Sequence, residues 1–132
     1  MTSAQSHTRT NSKSVITGEF PFVSFFSEYL ANFPSAYKGA LEDTIAAEHS
    51  HLSERMSSHP DWVEHAPHAD VSVVGNHLEY GVNANKDKAK LLEYGDPSKK
   101  VVPTGLLRST ALHRSYNLKS EFSDRVSNRM IQ

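Results

Sequence analysis

Histidine carries the most chemical potential in this chain. Six of the eight histidines, His49, His51, His59, His65, His68 and His77, fall between positions 49 and 77. Crowded imidazoles could ligate zinc or titrate near neutral pH. A zinc site needs ligands converging tetrahedrally, each imidazole oriented by a further partner. His49 and His51 are two apart, which on a helix points them about 200° from each other. There is no His-Glu-x-x-His and no cysteine to complete a set. Solvated or internally bonded histidines are therefore expected, with a pH-responsive surface as the alternative. No metal and no cofactor is assigned.

Other chemistries lack an organising motif. Asp61, Glu64 and Asp70 lie close in sequence, but surface loops commonly carry such carboxylates. No Gly-x-Ser-x-Gly elbow, P-loop or Gly-x-Gly-x-x-Gly turn is present. The chain is not expected to be an enzyme. Basic residues cluster at Lys86, Lys88 and Lys90 and again at Lys99-Lys100. With a net charge of −1, there is no global field to grip phosphate backbones. Non-specific proximity to DNA is compatible with these lysines; sequence readout is not suggested, because no basic recognition helix appears.

These residues sit in a chain of 132, the length of one domain with a single modest core. The absence of cysteine fits a reducing compartment. No apolar run approaches the roughly 18–20 residues of a membrane span, and the N-terminus lacks a signal-like apolar core. A soluble intracellular or intravirion protein is expected, with no membrane partner.

Residues 1–14 form a polar arm in which Ser and Thr supply seven of fourteen positions. Such a segment buries too little apolar surface to order alone, so it is either disordered or ordered against a partner. The remaining residues, 15–132, make one domain. Between 19 and 33, Phe22, Phe25, Phe26, Tyr29 and Phe33 recur at helical spacing, and Pro21 suits a first helical turn. A helix over about 21–32 follows, with a strand starting at Val15-Ile16 as the alternative. The aromatic stripe is read as core, with a subunit interface as the competing role.

A long helix should cover about 36–58, capped by Ser35 and ended by His59-Pro60. Tyr37, Leu41, Ile45, Leu52 and Met56 form its apolar face, with Glu42, Asp43, Glu48, Glu54 and Arg55 largely elsewhere. Residues 59–69 read as a loop. Val71 and Val73, then Leu78, Tyr80 and Val82, alternate around Gly75-Asn76 and predict a β-hairpin. Asp87 could cap a short helix through Tyr94 that stops at Gly95 in a left-handed conformation, or this segment is a third strand. Thr104 should cap a final helix whose Leu107, Ala111, Leu118, Phe122, Val126 and Met130 form a stripe with one seven-residue gap. The fold class is α+β: a small antiparallel sheet with a long helix before it and a long C-terminal helix after it.

The tetrapeptide Leu-Glu-Tyr-Gly occurs at 78–81 and again at 92–95. The second copy lies in AKLLEYGDPSKKVVPTGLLRSTA, which resembles the C-terminal signature of the tailed-bacteriophage head–tail joining or tail-completion neck proteins, also described as minor tail components. Ala89, Glu93, Tyr94, Gly95, Pro103, Leu106, Leu107 and Arg108 occupy the family's motif positions in order. The chain departs from the pattern at Asp96, where Thr is usual, and at Leu106-Leu107, where a proline–aromatic pair is usual. The resemblance spans residues 36–130.

It implies a non-enzymatic protomer of a ring, six-fold, lining the DNA passage at the head–tail junction of the virion and assembled in the host cytoplasm. Implied partners are further copies of itself and neighbouring neck proteins: the connector or adaptor, the head-closure ring and the tail tube. Tail terminator and head-closure ring are alternative positions. A small intracellular His-rich binding module is the alternative from another class. Within the signature, Gly95 is expected to be the helix stop. Glu93 is expected to pair with Arg108 or to reach a neighbouring subunit, as is Arg108. The run Asp96, Pro97, Lys99, Lys100 to Pro103 is expected to be a docking loop.

Overall fold

The computed structural model describes residues 20–21, 31–74 and 77–130. Strand β1 (Phe20–Pro21) is followed by α1 (Pro34–Ser57), α2 (Pro60–His65), β2 (Ala69–Val74), β3 (His77–Val82), α3 (Lys86–Tyr94), a 3-10 turn (Pro97–Lys99) and α4 (Leu106–Met130). The polar arm, Phe22, Phe25 and Phe26, most of the expected 21–32 helix and the Gly75-Asn76 turn lie outside the described residues.

Helix α1 begins two residues earlier than expected. Pro34 occupies the first turn, where a missing N–H costs nothing, and its fixed φ sets the helix going. Ser35 therefore falls inside the helix, and the flanking position belongs to Phe33, which offers no side-chain cap. The end before His59-Pro60 is as read from the sequence. The buried row of α1 is Ala36, Ala40, Thr44, Glu48, Leu52 and Met56, at steady steps of four. Tyr37, Leu41 and Ile45 pack only partly against the core.

Three antiparallel strands form the sheet, in the order β1-β3-β2. The hairpin pairs Val71 with Tyr80 and Val73 with Leu78, so one face alternates as the sequence implied. Central β3 is buried at all six positions, not on one face alone. Pro21, expected in a first helical turn, is itself in a strand. It pairs with His77 in β1, an edge strand, where proline's missing donor is tolerated.

Residues 59–69 are not all loop either. Pro60 starts the short α2, Asp61 sits in its first turn, and Trp62 is fully buried. The Trp62 indole N–H donates to Thr104 Oγ1 at 3.1 Å and pins α2 to the segment preceding α4. Helix α3 forms in preference to a third strand. Asp87 lies in its first turn and is not the cap; Asn85 flanks it at φ 54°, a left-handed conformation that asparagine tolerates. The Asn85 amide donates to the His65 carbonyl at 2.7 Å.

Helices α1 and α4 pack antiparallel, as the pairings Arg55 with Ser109, Glu48 with Arg114 and Asp43 with Arg129 show. On α4, Leu107, Ala111, Leu118, Phe122 and Val126 are buried as expected, whereas Met130 is exposed at the helix end. The gap in the stripe is filled by Arg114, 7% exposed. It meets Glu48, which is fully buried and not on the solvent side of α1. Arg114 Nε donates to Glu48 Oε1 at 2.9 Å and Nη2 to Oε2 at 2.9 Å, a two-pronged pair. The Tyr80 hydroxyl donates to Glu48 Oε1 at 2.8 Å, and Arg114 also engages Glu121 at the margin.

Removing one partner of such a pair strands a charge in the core, whereas replacing the whole set by apolar groups need not cost stability. Arg114→Met is expected to lower unfolding free energy by about 3–5 kcal/mol. The triple variant Glu48→Met, Arg114→Met, Tyr80→Phe should lose less than that single change. Urea denaturation decides, and a single variant within about 1 kcal/mol of wild type would contradict a structural pair. Burial, then the Glu48 charge, push the Tyr80 hydroxyl well above its ordinary 10.0. Because the folded value is raised, this group's contribution is fully present below the unfolded value and is lost as pH climbs from there towards the folded one. Stability measured at successive pH values should fall above about pH 10, and less steeply in Tyr80→Phe.

Candidate functional site

The signature residues gather where α3 ends and α4 begins. Glu93 lies on the last turn of α3 with its side chain fully buried. The first turn of α4 presents backbone N–H groups with no partner inside the helix. Leu107 N–H donates to Glu93 Oε1 at 2.8 Å, and Arg108 N–H donates to Oε2 at 2.9 Å. A carboxylate here also answers the positive end of the helix dipole. Thr104, expected as the cap, stands one residue too early. Gly105, at φ 58°, takes the flanking position, and its carbonyl accepts the Ser109 N–H at 2.8 Å. The Thr104 hydroxyl instead joins Trp62 and makes a long 3.4 Å contact to Leu106 N–H.

Arg108 completes the cap. Its Nε donates to Glu93 Oε2 at 2.7 Å and its Nη2 to the Glu93 carbonyl at 2.7 Å, so Glu93 and Arg108 meet within one chain. The guanidinium also lies over the Tyr94 ring, 4.6 Å from its centroid. Tyr94 is 44% exposed. Partial burial raises its hydroxyl pKa, the Glu93 charge adds to that, and Arg108 opposes it.

Gly95 ends α3 as expected, but its conformation differs from a left-handed cap. Its φ of 72° is paired with a ψ of −179°, a combination open essentially to glycine alone. A Cβ there would lie 2.7 Å from Pro103 Cδ and from the Val101 carbonyl oxygen. The returning chain packs directly on Gly95, and this proximity lets it satisfy the end of α3. Thr104 N–H donates to the Leu92 carbonyl at 2.8 Å and Gly105 N–H to that of Glu93 at 3.1 Å.

Between these contacts the expected docking loop is a closed ring of backbone bonds. Asp96 and Val101 exchange both N–H donors, at 2.9 and 3.0 Å. The Asp96 carboxylate accepts the Ser98 hydroxyl at 2.6 Å and the Ser98 N–H at 3.0 Å, and the hydroxyl bond leads the causes that lower its pKa. Pro97 opens the 3-10 turn, Lys99 closes it, and Lys100 adopts φ 57° to turn the chain back. Pro103 backs Gly95, while Leu106 and Leu107 point into the core.

An open groove of about 410 Å³ lies between α3 and this loop. Leu91, Tyr94 and Gly95 give it apolar surface; Lys88, Lys90 and Lys99 line it with charge, and Asp87 adds one carboxylate. Glu93 is already held by three donors, which suits it to fixing the loop, and the exposed groups around it are suited to contact.

Of the histidines, His49 Nε2 lies 3.1 Å from the Ala69 carbonyl and His65 lies 3.2 Å from Glu64. Among the described residues, no three His, Asp or Glu side chains converge as metal ligands would. Reading by motif missed Trp62, Glu48 and Arg114. Spacing held a signal for the last two: Glu48 follows Ile45 by three, and Arg114 stands between Ala111 and Leu118 in the α4 row. Comparison with protein-family models, with curated proteins and with solved structures returns no match.

Glu93→Ala should destabilise by about 3 kcal/mol, since it leaves the buried Leu107 N–H and the part-buried Arg108 N–H without their acceptor. Glu93→Gln, which keeps one acceptor oxygen, should cost about half as much. Arg108→Ala, whose charge is partly solvated, should cost about 1 kcal/mol. Chemical denaturation ranks the three, and equal losses for Glu93→Ala and Arg108→Ala would refute the cap as the main role.

Proposed function

We propose that this chain is a virion structural protein of a tailed bacteriophage, a protomer of the ring at the head–tail junction through which DNA passes. The observation that carries this reading is the convergence of the signature residues in one bonded unit. Ala89 is buried on the inner face of α3, Glu93 caps α4, and Gly95 packs on Pro103. Leu106 and Leu107 anchor the new helix in the core, and Arg108 ties Glu93 to Tyr94. A resemblance of scattered letters would not require its positions to depend on one another; these do.

The unit's outer side suits a protein that works by contact. A rigid loop and an open groove stand at one end of the domain, joined to the core through Glu93. A ring built from one kind of subunit joins two different patches of each copy, and such a loop is one of them. A chain of net charge −1 would let DNA slide through the lumen, since binding strength follows the phosphates neutralised. Neighbouring neck proteins are the other partners in this reading, and the virion is its location.

Imaging phage particles that encode the chain tests the proposal. The protein should copurify with intact particles as a ring of density between connector and tail tube. A nonsense mutant should yield filled heads and separate tails. Normal joining of heads to tails without the protein would overturn the reading.

A further inference from the structure

The lysine-lined groove has a counterpart on the same chain. Residues 86–100 carry five of the chain's 14 basic side chains but only three of its 15 acidic ones, so the remainder holds nine against twelve. One of those three, Glu93, is buried and paired with Arg108. Among the described residues, Lys88, Lys90, Lys99 and Lys100 make no salt bridge within 4.0 Å. This end of the domain carries an excess of positive charge, over exposed Tyr94 and half-buried Leu91.

Helix α2 presents the opposite character. Trp62 fixes it to the core, and its outer side carries Val63, 48% exposed, next to the exposed carboxylate of Glu64, with Asp61 exposed on the far flank. An apolar side chain with a carboxylate beside it complements an apolar groove lined with lysines. We propose that α2 of one copy docks in the groove of the next, with Val63 over Leu91 and Tyr94 and with Glu64 against Lys88, Lys90 and Lys99.

When each copy gives α2 to one neighbour and its groove to another, the contact is head-to-tail and propagates into a ring when the rotation between copies closes. The inference rests on the ring reading and supplies its subunit contact. Opposite charges steer and orient such an encounter, and the enclosed apolar pair supplies its holding surface. A DNA backbone, the other polyanion these lysines could meet, would have no use for Val63.

The chain has no cysteine, which makes the contact directly testable. Val63→Cys and Lys88→Cys variants, carried on chains of different tag length, are mixed and oxidised. The mixed disulfide should exceed either like-with-like disulfide about tenfold or more, because docking raises the effective concentration of one thiol at the other. High salt should reduce the excess. Glu64→Lys or Lys90→Glu, added to the corresponding partner, should abolish it, and combining the two reversals across the interface should restore it. A statistical distribution of disulfides, or loss of the excess without rescue, overturns the contact. Groove variants that lose only duplex DNA retardation, with cross-linking unchanged, would assign the groove to nucleic acid and also overturn it. Neither result touches the imaging test of the ring reading, so the two can fail separately.

Discussion

A carboxylate with no access to water holds this domain together. Glu48, on α1, is buried against β3 and α4, and each of these two supplies it with donors. Desolvating a carboxylate carries a penalty of several kcal/mol, which only a close partner and further hydrogen bonds offset. Arg114 provides the charge in two prongs and Tyr80 provides a hydroxyl. Apolar side chains could slide past one another with little loss, but this arrangement tolerates no shift. One helical turn of movement between α1 and α4 would leave Glu48 without its donors. The pairs of Arg125 with Thr44 and Arg129 with Asp43 follow along the same interface, in the register Glu48 and Arg114 impose.

Glu93 applies the same physics at the other end of α4. It too is a fully buried carboxylate satisfied by several donors, but two of those are the backbone N–H groups of a helix start. One glutamate aligns α4 along its length and the other fixes where it begins. The two Leu-Glu-Tyr-Gly copies show how far context outweighs letters. In β3, Leu78 and Tyr80 sit in the core, the latter bonded to Glu48. In α3, Leu92 is the buried one, while Tyr94 is largely exposed beneath Arg108. Gly81 lies within a paired strand, whereas Gly95 needs a backbone conformation that other residues rarely adopt.

Much of this was legible where a local rule and the tertiary structure agree. The hairpin followed from alternation, both long helices from their stripes, and the stop at Gly95 from its position after Tyr94. Several places defeated local reasoning, and three of them show distinct reasons. Ser35 is a good cap by type, but Pro34 had already begun the turn. Residues 60–65 are too short to show a periodic stripe, and what makes them helical is Trp62 finding a cavity and an acceptor far away in the chain. Glu48 was assigned to solvent because charge normally means exposure, and only knowledge of Arg114 opposite reverses that. The cap by Glu93 was half visible: its pairing with Arg108 could be anticipated, but not its grip on the α4 backbone.

The site's stiffness bears on how weak surfaces could build an assembly. The 96–101 loop is closed by its own backbone bonds and held at its base by Gly95 on Pro103 and by the Glu93 cap. Contact with a partner would therefore order little that is not already ordered, and less of the contact energy would be consumed by lost conformational freedom. That matters because exposed lysines and carboxylates contribute only modestly per pair. In an open chain of subunits such contacts would come apart readily. Closure changes the arithmetic, since a subunit leaving a ring must break two contacts at once, each raising the effective concentration of the other. A rigid loop, a shallow groove and separated charge would then suffice for a stable ring, with no need for a large apolar face on the free chain.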